Sequence, residues 1–180
     1  MHATVCDIIT DLVQNAVEAG AKRTELSVST TPEKIEVRVA DNGKGMDEET
    51  LRKASDPFYT EPGKHSKRKV GLGIPLLLQT CEECGGKAEI ASVPGQGTTV
   101  TFWLDAKNID TPPVGDVPET VLGLMAFDGD YDLVLTRRTR RDEYTVSRME
   151  LADALGNLSE ASTLAMAKEF LQNQEMNLEN

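Results

Sequence analysis

Apolar and polar residues repeat along the chain with two different periods, which predict its first elements. Between Val5 and Val17 apolar residues recur every three or four positions, the spacing of a helix with one buried face. Gly20 is the predicted end of this helix. Alternation over Leu26 to Ser29 and Ile35 to Val39 predicts an antiparallel hairpin around residues 31–34.

The pattern continues with two more helices and a second hairpin. Asp47 is predicted to cap a short helix that ends before Asp56-Pro57. A more apolar helix follows from Gly71 to a stop at Gly85-Gly86, and two strands come after it, Ala88 to Val93 and Thr98 to Leu104. This order predicts an α+β fold, a two-layer sandwich with helices on one face of a mixed, mainly antiparallel sheet.

A proline-rich stretch, residues 105–118, predicts a linker, because prolines discourage both a helix and a central strand. It separates a first domain, residues 1–104, from a small α+β C-terminal appendage, residues 119–180. The appendage is predicted to contain a hairpin and two helices, with Ser159 capping the second: strands Tyr131 to Thr136 and Tyr144 to Ser147, helices Met149 to Leu155 and Ser159 to Gln172.

Composition narrows the classes of partner. The formal net charge is −11, with 12 basic and 15 acidic side chains in residues 1–104 against 7 and 15 in residues 105–180. This balance argues against nucleic acid or an anionic membrane as a partner. No run approaches the roughly 20 apolar residues of a membrane span. Three cysteines make no disulfide framework, which predicts a soluble, cytoplasmic protein.

Three glycine-bearing clusters occur in the first domain: residues 41–46, 71–74 and 95–98. Glycine lets the backbone approach a ligand closely, and Gly71 and Gly73 stand where a helix begins, so its free N–H groups would face an anion. Each cluster alone is also explained by a simple turn. Neither GxxxxGK[ST] nor a strand-to-helix GxGxxG is present, so a phosphate site would have to be built another way.

Asp11, Asn15 and Glu18 share one face of the first helix, opposite its apolar face. An asparagine oxygen suits Mg²⁺, which keeps several waters and bridges to phosphates, and Asp11 could orient or deprotonate a water or hydroxyl. A solvated polar face is the alternative explanation.

Taken in order, these motifs resemble the boxes of the GHKL superfamily, which comprises gyrase, Hsp90, histidine kinases and MutL and has the Bergerat ATP-binding fold. The resemblance covers roughly residues 5 to 104. It rests on five motifs: Asp11 to Ala16, Asp41 to Gly45, Asp56 to Thr60, Gly71 to Gly73 and Gly95 to Thr98.

The resemblance implies ATP and Mg²⁺ as cofactors and assigns a role to each matching residue. Asn15 would bind Mg²⁺, and Asp41 would accept the adenine amino group. The remaining cofactor-binding residues are Gly43, Gly45 and Met46 at the base, Thr98 near the adenine, Phe58 and Lys69 in the lid, and Gly71, Leu72 and Gly73 at the phosphates. Lys64, Lys67 and Arg68 add positive charge to the lid, where a solvated loop is the alternative.

The reaction stays open within the superfamily. Residues 15–21 look like the hydrolysing branch, whereas Asp56 to Thr60 and Gly71 to Ile74 look like the histidine-kinase branch. Asp11, the candidate catalytic residue, departs from both, since kinases commonly have Asn and hydrolases Glu. The alternatives are a kinase, a slow ATP hydrolase of the gyrase, Hsp90 and MutL type, and a non-catalytic nucleotide sensor.

Residues 1–4 leave no room for a phosphoacceptor hairpin, so we expect a stand-alone regulator in signal transduction, similar to anti-sigma-factor kinases. Its expected partners are ATP and an unidentified protein, with a homodimer as an open alternative. Cys81-Glu-Glu-Cys84 supplies two thiols where a structural zinc site needs four ligands. Incidental thiols and a redox or shared-metal site both remain open.

Overall fold

The alternating segments form six strands of one mixed sheet in a computed structural model, which describes residues 3–56 and 73–179. Within these residues six helices accompany the sheet. The strands are β1 Arg23–Thr30, β2 Lys34–Asp41, β3 Lys87–Val93, β4 Gly97–Asp105, β5 Asp132–Arg138 and β6 Glu143–Ser147. The helices are α1 Val5–Glu18, α2 Glu48–Ala54, α3 Gly73–Glu83, α4 Val117–Met125, α5 Arg148–Leu155 and α6 Ala161–Glu179.

The strand order across the sheet is β3-β4-β2-β1-β5-β6. Every neighbouring pair is antiparallel except β1 and β5, which run parallel. In this register Leu26 of β1 lies between Val39 of β2 and Leu135 of β5. The predicted α+β fold with a mixed, mainly antiparallel sheet is therefore confirmed.

One face of the sheet carries the hydrophobic core, because side chains alternate across a strand and only one set is apolar. Val28, Val37, Phe102 and Leu135 are fully buried, and they form one cluster with apolar side chains of α1, α3, α4, α5 and α6. On β1 and β2 the opposite set is mainly polar and partly or fully exposed, as Arg38 shows. The predicted two-layer arrangement follows from this asymmetry.

Helix α1 is fixed at both ends. Thr4 and Asp7 form a capping box at its start, and the next two free N–H groups, of Val5 and Cys6, donate to the carbonyls of Pro113 and Val114, each at 2.9 Å. The helix ends as predicted, with Gly20 in the left-handed region at φ 76°. The proline-rich segment thus packs on the helix that carries Asp11 and Asn15.

The C-terminal hairpin is present, and β5 pairs with β1, so residues 132–147 extend the central sheet. The pattern did not predict α4. Pro118, which we expected to discourage a helix, lies in the first turn of α4, where a missing N–H costs no hydrogen bond. The division of the chain into residues 1–104, 105–118 and 119–180 stays a prediction.

Helix α6 begins at Ala161, so Ser159 lies in the preceding turn and is not its cap. The buried stripe of α6 consists of Thr163, Ala167, Leu171 and Leu178. No helix within residues 3–56 and 73–179 combines the length and apolar character needed to cross a membrane.

The other end of α6 is held to the sheet by a buried polar cluster. The guanidinium of Arg137, on β5, donates to Glu175 at 2.9 Å and to Thr30 at 2.9 Å. The Tyr144 hydroxyl, on β6, donates to the second oxygen of Glu175 at 3.0 Å. Burial, followed by the Glu175 charge, raises the pKa of Tyr144 above its ordinary value. Its hydroxyl therefore stays protonated and remains a donor.

Candidate functional site

A cavity of about 450 Å³ lies between α1, the sheet and the start of α3. Its volume falls within the range of small-molecule sites. The apolar part of its wall comes from Leu12, Ala16, Val39, Ile74 and Val100, and the polar part from Asn15, Glu18, Asp41, Lys44 and Thr98. An apolar slot with a few polar groups suits a ligand with a flat apolar body and polar edges.

Five of the predicted site residues line this cavity: Asn15, Asp41, Gly45, Met46 and Thr98. Three more, Asp11, Gly43 and Gly73, adjoin it through the contacts described below. The other predicted positions lie outside the described residues: Phe58, Lys64, Lys67, Arg68, Lys69, Gly71 and Leu72. Lys44 and the apolar lining were not among the predicted site residues.

The carboxylate of Asp41 is held by its own turn. The N–H of Gly43 donates to Asp41 Oδ1 at 2.8 Å, which orients the carboxylate at the cavity wall. Asn42 anchors the turn from behind, since its Oδ1 accepts the N–H groups of Lys22 and Arg23, each at 2.9 Å. The acceptor in the cavity is therefore fixed in position before any ligand arrives.

Two glycines let the turn after β2 and the turn between β3 and β4 touch. Gly45 has φ 64°, and a Cβ there would stand 2.0 Å from the carbonyl oxygen of Val93. Gly97 has φ 109°, and a Cβ there would stand 1.9 Å from the carbonyl oxygen of Asp41. Both positions require glycine for conformation and for space. The two glycine clusters thus form one wall of the cavity.

Ser92 joins the same two turns through its hydroxyl. It accepts the N–H of Met46 at 2.8 Å and lies 2.8 Å from the hydroxyl of Thr98. Ser92 was not among the predicted site residues. The available signal was a polar side chain at an inward-facing position of β3, in line with Ala88 and Ile90.

The third glycine cluster meets the polar face of α1. A Cβ on Gly73, the first residue of α3, would stand 3.2 Å from Asp11 Cβ and 3.7 Å from Asn15 Nδ2. The N-terminus of α3 therefore abuts the two polar side chains predicted for phosphate chemistry. Free N–H groups and the helix dipole make such an end favourable for an anion.

The cysteine pair lies apart from this cavity. Cys81 and Cys84 are both buried and free, and the Cys84 thiol donates to the carbonyl of Asp110 at 3.3 Å. Burial, followed by the neighbouring Cys84, raises the pKa of Cys81 to about 12. Among the described residues no group of three or more His, Cys, Asp or Glu could hold a metal ion. These observations favour incidental core thiols.

The two-layer fold and a cavity walled by glycine turns define an ATP-binding domain. The model of the family described as histidine kinase-, DNA gyrase B-, and HSP90-like ATPase matches residues 3–108, and the chain belongs to this family. The resemblance found in the sequence is thereby confirmed.

Curated relatives include histidine kinases. Sensor histidine kinase YxdK of Bacillus subtilis (strain 168) is 32% identical over 98 residues, which are 52% of this chain and 30% of that protein. Sporulation kinase C of the same organism is 30% identical over 103 residues, which are 56% of this chain and 23% of that protein. The chain thus spans less than a third of the length of these relatives, and their similarity supports an ATP-binding, kinase-like domain.

Among solved structures, the N-terminal domain of a DNA repair protein covers 91% of this chain and 59% of its own, with a TM-score of 0.57 and 12% identity. At this identity the likeness shows the fold alone. The family match ends at residue 108, whereas the structural likeness covers 91% of the chain. The likeness therefore includes part of the C-terminal segment, residues 109–180, which adds β5 and β6 to the sheet.

Proposed function

We propose that the protein binds Mg·ATP in this cavity and acts as a kinase-like regulator that phosphorylates or conformationally controls a partner protein. The observation that carries the proposal is that one cavity is lined by Asp41 and Thr98 as well as by Asn15. The first two suit a base, and Asn15 lies beside the start of α3, where phosphates would be favoured.

Magnesium fits the donor set at Asn15. Its side-chain oxygen is a hard ligand, and one or two protein ligands suffice because Mg²⁺ completes its shell with water and phosphate oxygens. A dedicated cluster of carboxylates is therefore not required. Bound there, the ion would neutralise phosphate charge, while Asn15 would orient it and the N–H groups of α3 would bind the anion.

The partner is proposed to contact residues 119–180. Support comes from the extent of the family match, which ends at residue 108 and leaves this segment without an assigned part in ATP binding. We propose that the phosphoacceptor lies on that partner. The two histidines of this chain, His2 and His65, lie outside the described residues.

A second candidate function, slow ATP hydrolysis, is favoured by the position of Asp11. Its side chain lies next to Gly73, at the start of α3, and one turn before Asn15 on α1. A carboxylate there could serve as general base for a water that attacks the terminal phosphate. The new P–O bond would form from that water, ADP would leave, and the water proton would pass to Asp11.

Labelled ATP separates these functions. The purified chain would be incubated with Mg·[γ-³²P]ATP, alone and with proteins that the immobilised chain retains from its source cells. Label transferred to one retained protein, and lost in Asn15→Ala, supports the kinase. Phosphate released by the chain alone, and lost in Asp11→Asn, supports hydrolysis. ATP binding without either product supports a sensor, and absence of ATP binding overturns the proposal.

A further inference from the structure

The hydroxyl of Thr98 is the second polar group that a base would meet beside Asp41, and a hydroxyl can act as donor or acceptor. Asp41 is unambiguous because a carboxylate only accepts. Thr98 has one hydrogen, and the direction of that hydrogen decides which ligands fit. Ser92 is the neighbour that contacts this hydroxyl, at 2.8 Å.

The surroundings of Ser92 restrict its own hydrogen. One lone pair of its oxygen accepts the N–H of Met46 at 2.8 Å, so the oxygen is oriented by the backbone. Its hydrogen can then go to the carbonyl of Gly97 at 3.2 Å or to Thr98 Oγ1 at 2.8 Å. The distance to Thr98 lies within the usual range of an O–H···O hydrogen bond, whereas the distance to the Gly97 carbonyl is longer than that range. Thr98 is therefore the better acceptor for the hydrogen of Ser92.

We propose that Ser92 is a positioning residue that donates to Thr98 and turns the Thr98 hydrogen toward the cavity. The cavity then presents one fixed acceptor, Asp41, and one fixed donor, Thr98. This pair complements a ring that carries an amino group next to a ring nitrogen without hydrogen, as in a 6-aminopurine. A 6-oxopurine has the opposite arrangement on both atoms. The inference rests on the proposed binding of ATP in this cavity.

The role assigned to Ser92 goes beyond structural support of the two turns. A purely structural serine would, when removed, weaken all nucleotides equally. A positioning serine would instead change how the protein distinguishes two nucleotides that differ only at the atom that Thr98 would address. The ratio of their affinities is therefore the informative measurement.

The experiment uses ATP and 1-deaza-ATP, in which the ring nitrogen beside the amino group is a C–H. Both would be titrated calorimetrically into the wild-type chain and into Ser92→Ala, Ser92→Thr and Thr98→Val. We expect the wild type to prefer ATP about tenfold, the worth of one buried hydrogen bond. Thr98→Val should lose the preference, Ser92→Ala should reduce it to about threefold or less, and Ser92→Thr, which keeps a hydroxyl, should restore it.

The matched control is Thr145→Ala. Thr136 and Thr145 form another hydroxyl pair, at 3.1 Å, between β5 and β6 and outside the cavity lining. Its loss should leave the affinity ratio unchanged. Should Ser92→Ala fail to fold, as judged by thermal unfolding, Ser92→Cys replaces it, because a thiol is a weak donor of nearly the same shape.

Each result decides a separate question. A ratio in Ser92→Ala equal to that of the wild type makes Ser92 a structural residue and overturns the inference. A larger ratio overturns it as well, because Thr98 would then donate to Ser92 in the wild type. Equal affinity of the wild type for both nucleotides shows that Thr98 makes no such bond, while ATP binding itself stands. A wild type that binds neither nucleotide overturns the proposed function and this inference together.

Discussion

Gly45 and Val93 are in such close contact that a Cβ on Gly45 would stand 2.0 Å from the Val93 carbonyl oxygen. Gly95, nearby in the same wall, has a similar backbone angle, φ 76° against 64°, but a Cβ there would meet nothing within 4 Å. The two glycines therefore separate the cost of a left-handed backbone from the cost of a steric clash.

We expect Gly45→Ala to lower the free energy of unfolding by more than about 3 kcal/mol and to abolish ATP binding, because Ala forces the two turns apart. Gly95→Ala should cost only about 1 kcal/mol, the price of the backbone conformation, and keep the wild-type affinity. Urea unfolding and calorimetry measure the two effects. Equal destabilisation of both variants would contradict the contact between the turns.

Asp41→Asn tests the acceptor in the cavity. The amide can still accept the Gly43 N–H through Oδ1, so the turn is kept, but an NH₂ group now faces the ligand where a carboxylate oxygen stood. Two donors would then face each other. We expect the ATP affinity to fall about 100-fold while the thermal stability changes little.

The matched control for this variant is Asp130→Asn, which changes an exposed carboxylate that pairs with Lys22. It carries the same change in net charge and should leave ATP affinity within a factor of two or so of wild type. Unchanged affinity in Asp41→Asn would refute the assignment of Asp41 to the base.

The buried pair of Arg137 and Glu175 should stabilise the docking of α6 on the sheet. Their side chains are 8% and 17% exposed, so Glu175→Ala leaves a buried guanidinium without its counter-charge. We expect a loss of about 3 kcal/mol in the free energy of unfolding. Arg138→Ala breaks the adjacent pair with Glu143, which is more than half exposed, and should cost less than about 1 kcal/mol.

Urea unfolding of both variants supplies the comparison. If the two variants lose similar stability, the buried cluster does not hold α6. A shorter protected helix in Glu175→Ala, measured by hydrogen exchange of residues 171–179, would locate the effect at the end of α6.

The raised pKa of the Cys81 thiol predicts a loss of stability at alkaline pH. Its pKa is about 12 in the folded chain against 9.0 for an ordinary thiol, so the folded state favours the protonated form. The stability that this preference gives the folded state is fully present below pH 9 and is lost as the pH rises toward 12. Between pH 8 and pH 10.5, ionisation of the Cys81 thiol should lower the free energy of unfolding by about 2 kcal/mol.

Cys81→Ala isolates that contribution, because every other titrating group remains. The difference in unfolding free energy between pH 8 and pH 10.5 should be smaller in the variant than in the wild type. Alkylation by iodoacetamide at pH 8 should spare Cys81 and Cys84 until the chain unfolds. Rapid paired oxidation of both thiols in the folded chain would instead support the redox alternative.

The fold was predictable where local pattern and tertiary environment agree. The period of α1, the hairpin of β1 and β2 and the stop at Gly20 all follow from spacing and glycine chemistry. Helix α4 was missed because Pro118 was assigned to a linker, although this proline occupies the one turn that tolerates it. The parallel pairing of β5 with β1 was also missed, since no local pattern encodes contacts between distant strands.

The candidate site was predictable as a set of motifs but not as a network. Order and glycine content brought Asn15, Asp41 and Thr98 into one hypothesis, and the cavity contains all of them. Ser92 was not predicted, because a polar residue at an inward-facing strand position does not identify its partners, and only the folded hairpin brings it against Met46 and Thr98. Motif residues can be predicted from the sequence, whereas contacts between residues in different turns cannot.

The parallel pairing of β1 with β5 has a consequence for folding during translation. Arg23 is paired with Asp132, so an interior strand of the sheet waits for residues synthesised 109 positions later. During translation the chain therefore exposes the unpaired edge of β1 until β5 has been synthesised. High contact order predicts slow folding, and a ribosome-bound chain that ends near residue 118 should depend on a chaperone to avoid aggregation.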